Sequence, residues 1–262
     1  MNPKNLKKLI SQRREQVFGR CNICGKTTLF YTKEAGHVRE SLFCLRCKSV
    51  SRKRHVAKII LETFAPQFRS LKGARETLSK LSIYSAVSND ALHRFLGEGN
   101  RNFVCSELFP DTEEGMEKNG VLCQNLERLT FDDEKFDLVI TEDVFEHVRR
   151  PMQGFREVHR VLKAGGYHIF TVPFNFDKPT VQRIDTATEK DVYLLPPEYH
   201  GDTLRDRILV YTDFGYDIVE RLNALGFETS LSLSTHSDAV RYGIADSYVF
   251  ISRKTYANQE IS

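Results

Sequence analysis

A chain of 262 residues with 40% hydrophobic and 28% charged side chains has the length and balance of a water-soluble protein with a full core. It has no apolar run able to span a bilayer, and its basic start lacks the apolar core and small-residue cleavage site of a secretory signal, so a cytoplasmic location is expected. The net charge of +3 hides a split: residues 1–60 carry 15 Lys and Arg against 3 Asp and Glu, while the remainder carries 23 against 32.

That split reads as a basic front module on an acidic body. The module is either a surface for phosphates or nucleic acid, or a solvated face that docks on the body. Residues 4–17 are weakly amphipathic through Leu6, Leu9, Ile10 and Val17, which predicts a helix. From Cys21 to Cys47 the spacing is C-x2-C-x19-C-x2-C, with Cys21, Cys24, Cys44 and Cys47 as the pairs. Two such knuckles, each placing two thiolates on one side of a tight turn, complete a tetrahedron around Zn²⁺. Four thiolates leave no vacant position, so this zinc is expected to be structural, and His37 and His55 are not expected to be ligands. Ser51 is placed to cap a helix through Val56, Ile59, Ile60 and Phe64, with Pro66 ending it. Arg52, Lys53 and Arg54 stand at its start, against the helix dipole, which hints at a bound anion or an acidic docking partner.

From about residue 78, short apolar runs alternate with helical patterns, the sign of βαβ units and a parallel sheet. Strands are predicted at 81–85, 102–106, 121–123, 136–141 and 167–172. A helix is predicted from Pro151 to Lys163, ended by Gly165-Gly166, and another from Thr212 to Leu225. The alternating "FETSLSLS" and the apolar "SYVFISR" predict a late pair of strands. Two domains are expected: 1–66 as the zinc module and its helix, and 67–262 as the body, with 175–211 a lid or substrate insertion.

Two blocks, "FDLVITEDVFEHV" at 136–148 and "FREVHRVLKAGGYHIFTVPF" at 155–174, resemble the fourth- and fifth-strand motifs of class I S-adenosylmethionine-dependent methyltransferases of type 11. With the cysteine module and "LPPEYHGD" at 195–202, the chain is similar to a bacterial subgroup associated with glycan biosynthesis. The resemblance implies a doubly wound, seven-stranded Rossmann-like sheet with the cofactor at its C-terminal strand ends. It further implies that Glu107 grips the ribose hydroxyls, that Asn125 and Leu126 meet the adenine, and that Asp143 faces the methyl-transfer region or the cofactor's amino-acid end. An ordinary loop acid at 107 and a turn-capping Asn at 125 remain the alternatives. His147 is expected to pack near cofactor or substrate, and Asp143, Glu146 and His147 could together hold a divalent ion.

The family's glycine-rich loop after the first strand is replaced here by Ser85, Ala86, Val87, Ser88 and Asn89. Small Ser85 and Ala86 still permit a close backbone approach, and Asn89 or Asp90 can cap the next helix. In the insertion, Tyr199, His200 and Asp202 follow two prolines. His200 is the candidate general base for an acceptor hydroxyl, or else a structural histidine in a Pro-braced lid. The reading is O-methylation of a sugar, glycan-linked or other small molecule. An RNA methyltransferase using the basic module, and a pseudoenzyme that keeps only the fold, stay open.

Overall fold

In the computed structural model of the chain, residues 16–32, 38–88, 90–201 and 207–256 are described. In chain order the main elements are β1 (Gln16–Arg20), β2 (Thr27–Thr32), β3 (Leu42–Cys44), α1 (Ser51–Phe64), β4 (Ile83–Ser85), α2 (Ala91–Gly97), β5 (Phe103–Glu107), β6 (Glu117–Lys118), β7 (Val121–Cys123) and β8 (Phe136–Glu142). There follow α3 (Pro151–Val161), β9 (Leu162–Thr171), α4 (Ile218–Asn223), β10 (Phe227–Leu233), α5 (His236–Tyr242) and β11 (Tyr248–Lys254). The chain forms two compact units. The first is Met1–Leu81, Asn89–Phe103 and Leu231–Val249; the second is Ser82–Ser88, Val104–Ser230 and Phe250–Ser262.

In the first unit β1, β2 and β3 form an antiparallel sheet. The helix expected over residues 4–17 falls mostly outside the described residues; Gln16 and Val17, its last two positions, belong to β1. Helix α1 buries Val56, Ile59 and Ile60. Ser51 does not cap it: Val50 holds the cap position without a side-chain bond, and the Ser51 hydroxyl donates to the Ala245 carbonyl at 2.7 Å. The helix stops at Phe64 because the residue before Pro66 is pushed out of the helical region. The cations at its start find partners inside the unit, Arg52 on Glu40 at 2.7 Å and Lys53 on Asp90 at 2.5 Å. Asp90 also caps α2 by accepting from the His93 N–H at 2.8 Å, as the sequence suggested. Asn89, the other cap candidate, and His37 lie outside the described residues. Helix α5 opens with a Thr235–Asp238 capping box and ends at Gly243, whose φ is +63°. A Cβ on Gly243 would stand 2.5 Å from the Phe30 ring, so close packing and left-handed backbone both call for glycine.

In the second unit the sheet runs β10-β11-β9-β8-β4-β5-β7-β6. β4 is parallel to β8, β8 to β9 and β5 to β7; β11 returns antiparallel to β9. The eighth strand is the two-residue edge piece β6, antiparallel to β7. The doubly wound order reverses at β4, which lies between β8 and β5. Open α/β sheets bind ligands at such a reversal, outside the carboxyl ends of the strands.

Two predicted helix boundaries need correction. Helix α3 ends at Val161, and Leu162 already pairs with Phe136, so Gly165-Gly166 lie inside β9 near a register shift rather than at a helix end. The helix predicted over 212–225 shrinks to α4. Thr212–Gly215 is a strand instead, parallel to 174–175 and antiparallel to 181–182. Thr212 and Phe214 alternate into the core there, a period of two hidden inside a helical pattern. The insertion 175–211 is built from two-residue hairpins, 184–185 with 192–193 and 199–200 with 208–209. Among the described residues no helix is long and apolar enough to cross a membrane.

Candidate functional site

Ser85 and Glu107 end β4 and β5, and Asn125 and Asp143 follow within two residues of the ends of β7 and β8. The sheet therefore gathers these four predicted residues at its carboxyl ends. No residue from 85 to 88 has a positive φ, so these four positions need no glycine for their backbone conformation. The Ala86 N–H donates to the Ile140 carbonyl at 3.0 Å, extending the ladder past β4, and the Ser85 hydroxyl donates to the Val87 carbonyl at 3.1 Å. Ser88 closes the turn: its N–H and its hydroxyl both donate to Oε1 of Glu107, at 3.0 and 2.9 Å. A carboxylate accepts through two oxygens with about four lone-pair sites, so one group can brace the loop and receive ribose hydroxyls as well. Ser88 was not singled out from the sequence. A hydroxyl residue facing a strand-end acid was the available signal.

Next to Glu107, its main-chain carbonyl accepts from the Gln124 N–H at 3.0 Å and aligns the strand end that carries Asn125. The Asn125 side-chain oxygen accepts from the Glu127 N–H at 3.0 Å, an Asx turn that shapes the loop. Leu126 beside it is buried. Asp143 adopts φ +52°, a left-handed conformation that Asp tolerates and most residues avoid, and its N–H donates to the Thr171 carbonyl at 2.8 Å. That strained corner turns the chain sharply out of β8 into a short turn, Phe145–His147. Phe145 anchors the turn by stacking on Phe155 of α3, ring centres 3.8 Å apart. Gly154 makes the stack fit: a Cβ there would lie 2.9 Å from the Phe145 ring.

The turn meets the insertion. The His147 Nδ1 lies 2.8 Å from the Leu209 carbonyl, and the Tyr211 N–H donates to the Glu146 carbonyl at 2.8 Å. These bonds bring His200 beside the pair, with the His147 and His200 ring centres 5.1 Å apart and perpendicular. Glu146, His147 and His200 thus form one cluster whose ligating atoms lie within 4.8 Å of one another. Sequence reasoning had grouped Asp143 with Glu146 and His147. It had no way to bring in His200 across more than fifty positions. Asp202 lies outside the described residues.

In the first unit, Cys21, Cys24, Cys44 and Cys47 are buried, unbridged, and have their sulfurs within 4.8 Å of one another. The donor set fits Zn²⁺: four soft thiolates at tetrahedral reach. Hydrogen bonding with Cys24 pushes the Cys21 thiol up, while hydrogen bonding from Cys21 pushes the Cys44 thiol down. His55 is no part of this site. It is buried between Ser247 and Ser232, both at 3.1 Å, and desolvation pushes it down to about 4. Arg54, fully buried, was read only as a member of a basic run. Its guanidinium donates to the carbonyls of Ser49, Leu42, Tyr242 and Gly243, and to the Ser49 hydroxyl, which in turn lies 3.2 Å from the Cys47 sulfur. Burial draws Arg54 down to about 10, and the cysteine charges oppose that fall. A buried cation beside four cysteines would offset part of the negative charge that a Zn²⁺ ion on four thiolates leaves.

A cavity of about 510 Å³ has Arg149, Arg150, Pro151, Thr212 and Phe214 among its lining residues. A second, of about 480 Å³, is lined by Leu108, Phe109 and Thr130 beyond the β5 end.

Residues 88–170 match a family model described as a methyltransferase domain. A sarcosine/dimethylglycine N-methyltransferase from Halorhodospira halochloris is 36% identical over 87 residues, 30% of this chain and 29% of that protein. The chain thus matches under a third of that relative's length. Among solved structures, an S-adenosylmethionine-dependent methyltransferase from Mesorhizobium loti is 16% identical, covering 70% of this chain and all of its own (100%), with a TM-score of 0.43. A 1,6-didemethyltoxoflavin-N1-methyltransferase from Burkholderia thailandensis is 14% identical, covering 87% and 96%, with a TM-score of 0.39. Residues 88–170 thus resemble a methyltransferase domain, within a chain whose main sheet is Rossmann-like and mostly parallel.

Proposed function

We propose that this protein transfers the methyl group of S-adenosylmethionine to a hydroxyl of a sugar, a glycan-linked compound or a similar small molecule. The observation that carries the reading is the Glu107–Ser88 contact, which keeps the glycine-free loop and a diol-binding carboxylate together at the sheet's reversal point. When bound, the cofactor supplies an electrophilic methyl on a sulfonium. Glu107 would accept from its two ribose hydroxyls, Leu126 would flank the adenine, and Ser85, Ala86 and Asp143 would hold its amino-acid end. An acceptor hydroxyl would be held in line with that methyl beside the Glu146–His147–His200 cluster, which is placed to help its proton leave. Alignment supplies most of the rate.

A small acceptor is favoured over RNA because Arg52, Lys53 and Arg54 are engaged inside the first unit rather than offered to phosphates. The cysteine cluster is proposed to hold a structural zinc. Stripping the metal with a strong chelator is expected to unfold the first unit, read as loss of a thermal transition that zinc restores. Methyl transfer is tested with labelled cofactor against a panel of free sugars, nucleotide sugars and short RNAs. Label in a sugar fraction that grows with time supports the reading; label in RNA alone overturns the acceptor class.

A further inference from the structure

We propose that Glu146, His147 and His200 form a second metal site, for a divalent first-row ion such as Zn²⁺, which presents an open position to the acceptor oxygen. The donors are a carboxylate and two imidazoles, a set that protein zinc sites with catalytic roles use. Oε1 of Glu146 lies 3.7 Å from Nε2 of His147 and 4.0 Å from Nδ1 of His200. Donors around a tetrahedral Zn²⁺ stand about 3.3 Å apart, and these three lie within 4.8 Å of one another, so side-chain movements of up to about an ångström close the site.

The surroundings set the right tautomers. Because the Leu209 carbonyl can only accept, Nδ1 of His147 carries the proton and Nε2 presents its lone pair toward Glu146. On His200, Nδ1 is the nitrogen on the Glu146 side, while Nε2 lies 3.7 Å from Oε1 of Glu198, close enough for a small rotation to bond it. A carboxylate or carbonyl behind each ligating imidazole is the usual outer support of a metal site. Glu146 is held from behind too, its side chain 2% exposed and its carbonyl bonded to Tyr211. Three ligands on two elements, joined by backbone bonds, leave the half-exposed His200 side of the cluster for substrate. There a bound ion lowers the pKa of an acceptor hydroxyl, so its proton passes to solvent before the oxygen forms its bond to the methyl carbon. This role rests on the methyl-transfer reading; the metal site does not.

The test is zinc content per chain, measured by mass spectrometry after dialysis of the full-length protein against buffered low zinc. S-adenosylhomocysteine affinity is measured on the same samples. The parent protein is expected to hold about two zinc ions, one on the cysteines and one here. His147→Ala and His200→Ala are expected to hold one, with cofactor-product affinity within about twofold of the parent. His200→Gln, which keeps the polarity of the site, separates ligand loss from misfolding through an unchanged circular dichroism spectrum. Unchanged zinc content in folded histidine variants overturns the site. Absent S-adenosylhomocysteine binding with the expected zinc content leaves the site standing and removes the methyl-transfer reading.

Discussion

Glu107 faces two demands at once. It accepts both Ser88 bonds that shape the loop after β4, and it stands where a carboxylate would take two ribose hydroxyls. The usual argument for glycine is relief from strain, and strain is absent at residues 85–88, where no φ is positive. The sequence could show that glycine was missing but not that the backbone there avoids the left-handed region, because that depends on Ser88 finding Glu107. Asp143 is the reverse case: it carries the positive φ, and nothing in its neighbours' sequence marks it. Arg54 was equally illegible, since a basic run at a helix start points to a bound anion or an acidic partner and not to buried main-chain carbonyls. Replacing it by methionine removes the donors to four buried carbonyls and the cation beside the cysteines. The expected cost is about 3–5 kcal/mol, read from denaturant unfolding of the zinc-loaded protein.

At the scale of elements, the turn Phe145–His147 is where the sheet hands over to the insertion. Its placement depends on the Phe145–Phe155 stack and on Gly154 beneath it. Gly154→Ala pushes a methyl group into the ring, so it is expected to destabilise by about 1–3 kcal/mol and to lower zinc or acceptor affinity at the turn, with S-adenosylhomocysteine binding kept. Overpacking that spares the turn would show the stability loss alone. The strands and α3 were legible because runs such as Phe136–Glu142 carry an apolar centre, Leu138 to Ile140, and Pro151 marks a helix start. The segment 212–225 was misread because Phe214, Ile218 and Leu222 sit at helical spacing while the first of them belongs to a strand. Pairing with residues 174–175 and 181–182 decides that, and pairing is not visible in a local pattern.

For the whole molecule, both units carry a buried histidine that the fold keeps neutral. Desolvation pushes His55 down to about 4 and His168 down to about 3 from an ordinary 6.5. Because the unfolded chain protonates first, stability is fully present above about pH 6.5 and falls as pH drops toward those lower values. Together the two contribute on the order of several kcal/mol of acid sensitivity. His168→Gln is expected to flatten the fall in melting temperature between about pH 6.5 and 4, a difference scanning calorimetry resolves. An unchanged slope would place the sensitivity elsewhere, in carboxylates or in the four clustered cysteines.

The claim on which the rest depends is that a loop without glycine still holds the cofactor. Calorimetric titration of the zinc-loaded protein with S-adenosylhomocysteine, beside Glu107→Ala and Glu107→Gln, tests it most directly. Saturable binding in the micromolar range is expected, weakened at least tenfold in Glu107→Ala, about 1.4 kcal/mol, with less loss in Glu107→Gln. No heat and no thermal shift at millimolar ligand in a folded, zinc-loaded protein would contradict the account and leave a methyltransferase fold that does not bind its cofactor.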